Sequence, residues 1–394
     1  MKLSAKALGI SPSITLKVTA LAKKMKQEGR DVVGFGAGEP DFDTPANIVE
    51  AAKKALDLGL TRYTPASGTI ELRKAVTQSL MKKTGLSYEP NQIVISNGAK
   101  HSLFNAFAAI LNPGDEVIIP VPYWLTYPEL VRMHDGIPVF LETDHTFKAT
   151  ADSIRAAITP NTKALILNSP SNPCGTVYTR EELTAIAEVA VEAGIFVVSD
   201  EIYDELIYEG EHVSIATLGE EIKKQTIIVN GVSKTYAMTG WRIGYTASTK
   251  EIADLMDAYQ SHAASNPNSI AQYATIEALS GPQDAVKHMR DAFNGRRKLL
   301  CDLINNIDGL SCSVPQGAFY VMMNISGAIG KSCEGTPITG SLDFTELLLQ
   351  HAEVAVVPGV SFGADEYVRL SYATSEENIK KGLERIARFM ALLK

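Results

Sequence analysis

The sequence predicts an α/β protein, with a mostly parallel seven-stranded sheet between helices in a large domain and a smaller α+β domain after it. Three observations carry this. Short apolar runs rich in Val and Ile recur through the middle of the chain, helical segments separate several of them, and the pattern changes after about residue 280. A strand covered on both faces reads as a continuous apolar run, and such runs alternating with helices indicate a parallel sheet. The 394 residues exceed what one small core needs, so two domains are expected.

Residues 14 to 28 read as a short basic amphipathic helix, followed by VVGFGAGEPDFDTP, a strand and then a loop dense in Gly and Pro. Helical periodicity runs from Asn47 through Leu58. The apolar runs are QIVIS (92–96), EVIIP (116–120), PVFLE (138–142), ALILN (164–168), IFVVS (195–199), TIIVN (226–230) and RIGYT (242–246), with helices over 99–111 and 180–193 among those between them. Beyond Ser280-Gly281-Pro282, a plausible hinge, come a charged helix over 283–306 and strands at 310–314 and 318–323. A helix near 343–351, strands at 354–357 and 367–372 and a final helix over 375–392 complete the chain. The expected division is an N-terminal arm and part of the small domain (1–45), a large domain (46–280) and a small C-terminal domain (281–394).

Composition narrows the function. Hydrophobic residues at 45% and charged residues at 21% set disordered and fibrous classes aside. A net charge of -8 argues against nucleic acid or an anionic membrane as partner, yet leaves room for a local basic pocket. Cys174, Cys301, Cys312 and Cys333 form no C-x-x-C pair and show no metal-ligand spacing with histidines, so free thiols, no metal and a reducing compartment are expected. The N-terminal segment has no apolar core of signal-peptide or membrane length, and the cytoplasm is the expected location. No G-x-G-x-x-G follows the early strands, which excludes a nicotinamide dehydrogenase.

Ligands of open α/β sheets sit at the carboxyl ends of the strands. After QIVIS come Asn97, Gly98, Ala99 and Lys100, opening a helix whose free N–H groups suit a phosphate, although a plain strand-to-helix turn reads the same. After ALILN, Pro170 and Pro173 bracket Asn172 and aim its amide, or simply make a rigid turn. After IFVVS, Asp200 stands at the end of a buried strand with Tyr203 close by. Such a carboxylate needs a partner, a protonated ring nitrogen or a helix it caps. After TIIVN come Ser233 and Lys234, then Arg242. A partly desolvated lysine is a usable amine nucleophile and base, and an arginine can clamp a phosphate. Singly each has a bland explanation; together they would give one sheet edge a phosphate loop, an aimed Asn, an Asp, a Lys and an Arg.

That set, in that order, resembles the class I aminotransferases of the aspartate aminotransferase family. The similarity runs from Gly36-Ala37-Gly38-Glu39-Pro40-Asp41-Phe42 to Arg369-Leu370-Ser371-Tyr372-Ala373, and the stretch from Ser233-Lys234 to Arg242-Ile243-Gly244 is highly specific. The resemblance implies pyridoxal 5'-phosphate, held as an imine by Lys234, the catalytic residue. Asp200 would pair with the ring nitrogen, Tyr203 and Asn172 would bond the phenolic oxygen, and Trp124 would stack on the ring. The Gly98–Lys100 backbone, Ser233 and Arg242 would hold the phosphate. Arg369, with Gly38, would bind the substrate α-carboxylate, and Tyr63 would reach the phosphate of a neighbouring subunit in a homodimer with shared sites. There are departures: Gly231 stands where the family often has a phosphate-binding serine, and Cys174 where it often has Thr. Lys100 and the segment around Ser13 and Thr15 match features that receive a distal carboxylate, so aspartate with 2-oxoglutarate is the expected pair. Prephenate, aromatic or neutral substrates, a carbon–sulfur lyase of this fold and an inactive binding protein are the rival readings.

Overall fold

Alternate residues of the apolar runs turn to opposite faces of one sheet, because side chains along a strand alternate with period two. In the computed structural model, which describes residues 2–11 and 14–394, Ile119, Val198 and Ile227 pack on one face with Leu103, Phe107, Leu130 and Met256. Their neighbours Ile118 and Val197 pack on the other with Leu183, Ile186 and Val189. Ile228 joins Ile93 and Ile95 against Leu72, Val76 and Ala274. Burial on both sides explains why these strands carry no polar alternation.

The first strand, β1 (Val33–Gly34), lies outside this sheet. The sheet itself comprises β2 (Ile93–Ser96), β3 (Glu116–Pro120), β4 (Ile137–Leu141), β5 (Thr162–Asn168), β6 (Phe196–Asp200), β7 (Thr226–Gly231) and β8 (Gly244–Ala247), in the order β2-β8-β7-β6-β5-β3-β4. β8 pairs antiparallel with both β2 and β7 and every other pairing is parallel, so the sheet is mostly parallel, as expected. The carboxyl ends of β5, β6 and β7 therefore lie side by side, with Asn168 in register with Asp200 and Asp200 with Val229.

The C-terminal region builds a three-stranded antiparallel sheet with Tyr367–Ser371 between β9 (Tyr320–Asn324) and Val357–Pro358. Val368 and Leu370 enter a core with Phe293, Phe344, Leu348, Ile386 and Phe389, from the helices Asp284–Asn305, Ser341–Ala352 and Glu376–Leu392. Arg369, between the two apolar residues, faces the other way.

Three expectations need correction. No strand forms over 310–314; Ser311 makes a single bridge to Asn324, and the side chain of Asn305 takes up both the N–H and the carbonyl of Cys312. The expected strand at 354–357 is two pieces, Val354–Ala355 parallel to β1 and Val357–Pro358 antiparallel to Tyr367–Ser371. The strand read from Arg242 starts at Gly244, because Arg242 itself is left-handed (φ 57) and its side chain folds back on the chain. Among the described residues no helix is long and apolar enough to cross a membrane.

Candidate active site

A cleft of about 420 Å³ opens at the carboxyl edge of the sheet, lined among others by Gly38, Lys100, Trp124, Asn172, Asp200, Tyr203, Ser233, Lys234, Arg242 and Arg369. Its floor is the end of β6. Asp200 is 4% exposed and accepts hydrogen bonds from the Tyr127 hydroxyl (2.7 Å) and the Ile202 N–H (3.2 Å). Burial pushes its carboxyl up to about 6, against the two hydrogen bonds that favour the anion. The turn after it is pinned from behind. Glu201, also buried, accepts from Ser199 (2.9 Å), Ser214 (2.6 Å) and His212 Nε2 (3.0 Å). Tyr203, from this turn, has its hydroxyl 3.0 Å from that of Tyr320.

Lys234 stands where the chain leaves β7, and its Nζ donates to the carbonyl of Gly38 at 2.6 Å. Burial pulls its amine down to about 8; Glu39 opposes this, and Arg242 and Arg369 add to it. Such an amine is mostly neutral above about pH 8, where it can act as nucleophile or base.

One end of the cleft brings a helix start together with two cations, Arg242 and Lys100. Gly98 (φ 86) precedes the helix Ala99–Ile110, and a Cβ there would lie 2.3 Å from Arg242 Nη2. Only a glycine lets the guanidinium close on the helix start. Arg242 is fixed by donating to Thr239 O (2.9 Å) and Asn97 O (3.1 Å). Lys100 reaches over the Trp124 ring, 5.0 Å from its centroid, and partial desolvation of its amine, followed by the like charge of Arg242, lowers its pKa.

At the other end Arg369 is 2% exposed. It donates to Asn172 Oδ1 (3.0 Å) and Gly36 O (3.2 Å), while its guanidinium lies 4.3 Å from the Tyr320 ring centroid and 5.1 Å from that of Phe362. Asn172 is held by its own N–H on Asn168 Oδ1 at 2.8 Å. Arg369 Nε is buried without a partner, the kind of orphan donor that a bound carboxylate would satisfy.

Sequence reasoning missed Tyr127, Tyr320, Asn168, Glu39 and Phe362. Tyr127 had a faint signal, three residues beyond Trp124 at the start of the helix Thr126–Met133. Tyr320, inside an apolar strand, had none. Of the residues singled out, Tyr63 does not line this cleft; it is an aromatic residue 91% exposed. Ser13 lies outside the described residues, and Thr15 falls in the helix Ile14–Gln27. The departure at Gly231 has a local reason: a Cβ there would lie 2.9 Å from the carbonyl of Ile243.

The model for the family described as aminotransferase class I and II matches residues 30–386. The chain belongs to that family. An aspartate aminotransferase of Bacillus sp. (strain YM-2) is 49% identical over 384 residues, 97% of each chain. An aspartate/prephenate aminotransferase of Cereibacter sphaeroides is 46% identical over 387 residues, again 97% of each. The crystal structure of the aspartate aminotransferase from Rhizobium meliloti superposes with a TM-score of 0.97 at 44% identity, covering 100% of both chains. Family membership makes the chain a transaminase and agrees with the fold described above.

Proposed function

We propose that this chain moves the amino group between aspartate and 2-oxoglutarate in a ping-pong reaction, with pyridoxal 5'-phosphate as cofactor. One observation carries the reading: a part-buried lysine with a depressed amine pKa shares a cleft with a buried, incompletely satisfied arginine fork. The donor set fits the cofactor. A primary amine suits an aldehyde, a buried carboxylate suits a protonated ring nitrogen, Trp124 offers a ring face, and a helix start with Arg242 suits a phosphate dianion. When bound, pyridoxal 5'-phosphate supplies an aldehyde and an electron-withdrawing ring that acidify the substrate Cα–H. Lys234 would anchor the aldehyde. Asp200 would hold the ring nitrogen, Asn172 and Tyr203 the phenolic oxygen, and Gly98 to Lys100, Ser233 and Arg242 the phosphate.

The chain's own work is then positioning and proton handling. Arg369 grips the α-carboxylate and turns the Cα–H toward Lys234 Nζ. The Gly38 carbonyl accepts from that amine and keeps it aimed. Lys234, neutral above about pH 8 by its own environment, takes the proton and returns it. Trp124, Tyr203 and Tyr320 line the cleft around the reacting groups. Lys100 offers a cation to the distal carboxylate, and the family resemblance implies a part for Ser13 and Thr15 in receiving the same group. The names of the relatives support aspartate as donor, and the relative named for prephenate supports that oxo acid as a second acceptor.

The same reading includes a homodimer with shared sites, supported by the exposed ring of Tyr63, and a cytoplasmic setting, supported by four free cysteines. A panel of amino donors assayed against 2-oxoglutarate tests the substrate. Aspartate should give the highest kcat/KM; an aromatic or neutral donor that outpaces it overturns the aspartate assignment.

A further inference from the structure

The loop Gly36–Phe42 touches both working side chains of the cleft: Gly38 O accepts from Lys234 and Gly36 O from Arg369. Its first residues, Gly36-Ala37-Gly38, have little side chain to hold them in place. The chain before the loop is fixed, because Phe35 exchanges backbone hydrogen bonds with Ala355 and Ser371 (2.8 Å each). The chain after it is fixed at Thr44, which donates to Ala237 O (2.8 Å) and accepts from Trp241 Nε1 (2.9 Å). Between these anchors Thr239 donates to Glu39 (2.9 Å) from the sheet side. From the helix side His288 and Phe293 pack edge-on to the Phe42 ring (6.1 and 5.5 Å between centroids), and one side chain adds a charge. Arg296, in the helix Asp284–Asn305, donates to Asp41 Oδ1 at 2.7 Å and stacks over the rings of Phe42 (5.2 Å) and Phe293 (5.7 Å). The pair is half-sheltered, with side chains 15% and 29% exposed, so solvent screens it less than an ordinary surface pair. Arg296 does not line the cleft. The neighbouring Arg297 points elsewhere, to Pro315 O (2.6 Å) and Glu209 (2.7 Å).

We propose that Arg296 is a positioning residue for substrate binding: through its ion pair with Asp41 it holds the Gly36–Phe42 loop so that the loop's carbonyls keep Arg369 and Lys234 aimed at the substrate. The inference rests on the reading of Arg369 as the α-carboxylate site. It places a determinant of amino-acid affinity on a helix outside the cleft, in a residue that touches neither substrate nor cofactor.

The test uses the cofactor-loaded enzyme with Arg296→Met, Arg296→Lys and Asp41→Asn. Two quantities are read: KM and kcat for aspartate, and the affinity for succinate, a dicarboxylate without an amino group, followed by tryptophan fluorescence. A loop shifted by a fraction of an ångström should raise KM and weaken succinate about tenfold in the Met variant, with kcat changing less than about threefold. Asp41→Asn should move both in the same direction, and Arg296→Lys, which keeps the charge, should restore most of the affinity. Unchanged KM and succinate affinity in Arg296→Met and Asp41→Asn overturn the proposal, and so does a Lys variant as impaired as Met. Arg369→Lys in the same assays separates the underlying reading: if it leaves both affinities intact, the carboxylate assignment fails irrespective of Arg296.

Discussion

At one end of the cleft Arg369 is sealed between Tyr320 and Phe362 and bonded to Asn172 and Gly36, whereas at the other Lys100 and Arg242 stand at an exposed rim. The sealed arginine has surrendered its hydration on folding and is held in place before any ligand arrives, so its fork is preorganised for a carboxylate. The open end keeps water and salt close to its cations, so each contributes less and each can adapt. On the reading proposed above, the rigid end would take the α-carboxylate, and the softer end would take the cofactor phosphate at Arg242 and the variable part of the substrate at Lys100.

Arg369→Gln breaks the rigid end. It should lower kcat/KM by about 10³ for every donor, roughly 4 kcal/mol, because a charged fork is lost and Asn172 and Gly36 O are left without it. A loss confined to aspartate would erase the distinction between the ends. Gly98→Ala attacks the helix start, with a left-handed backbone (φ 86) and a Cβ pressed on Arg242. Cofactor affinity, measured by equilibrium dialysis, should fall about 10²-fold. Lys100→Ala tests the soft end: aspartate should lose about tenfold in kcat/KM and a neutral donor little. Equal losses for both donors would make Lys100 part of the cofactor site alone. The smallest effect is a pH midpoint. In cofactor-free protein, burial first and Arg242 and Arg369 after it hold the Lys234 amine down, so its neutral form grows as pH rises through about 8. Borohydride trapping of a small aldehyde on Lys234 should follow that midpoint, and one near 10.5, the ordinary lysine value, would contradict the desolvated environment.

Much of the fold was legible because the strands of a covered sheet are continuous apolar runs. Ile118 and Ile119 differ only in the face they bury, and either face demands the same chemistry. Short pieces were not legible. Val354–Ala355 and Val357–Pro358 form one apolar stretch, and only the partners, β1 on one side and Tyr367–Ser371 on the other, divide it. Lys234, Asp200, Asn172 and Arg369 could be named because each sits at the end of a run or in a specific motif. Tyr127 and Tyr320 could not, since a tyrosine whose ring packs in a core looks apolar until its hydroxyl finds Asp200 or Tyr203. Arg296 was one charge among many on a charged helix; the loop it grips lies 255 positions away in sequence.

The central claim is amino-group transfer at Lys234, and a single half-reaction tests it most directly. Cofactor-loaded protein is mixed with aspartate alone, without an oxo acid, and both the visible absorbance and the products are followed. One oxo acid released per site, a stable change in absorbance and its reversal on adding 2-oxoglutarate are the predicted result, with all three absent in Lys234→Ala. Continuous release of ammonia and an oxo acid with no stored amino group would contradict it and point to a lyase on the same fold.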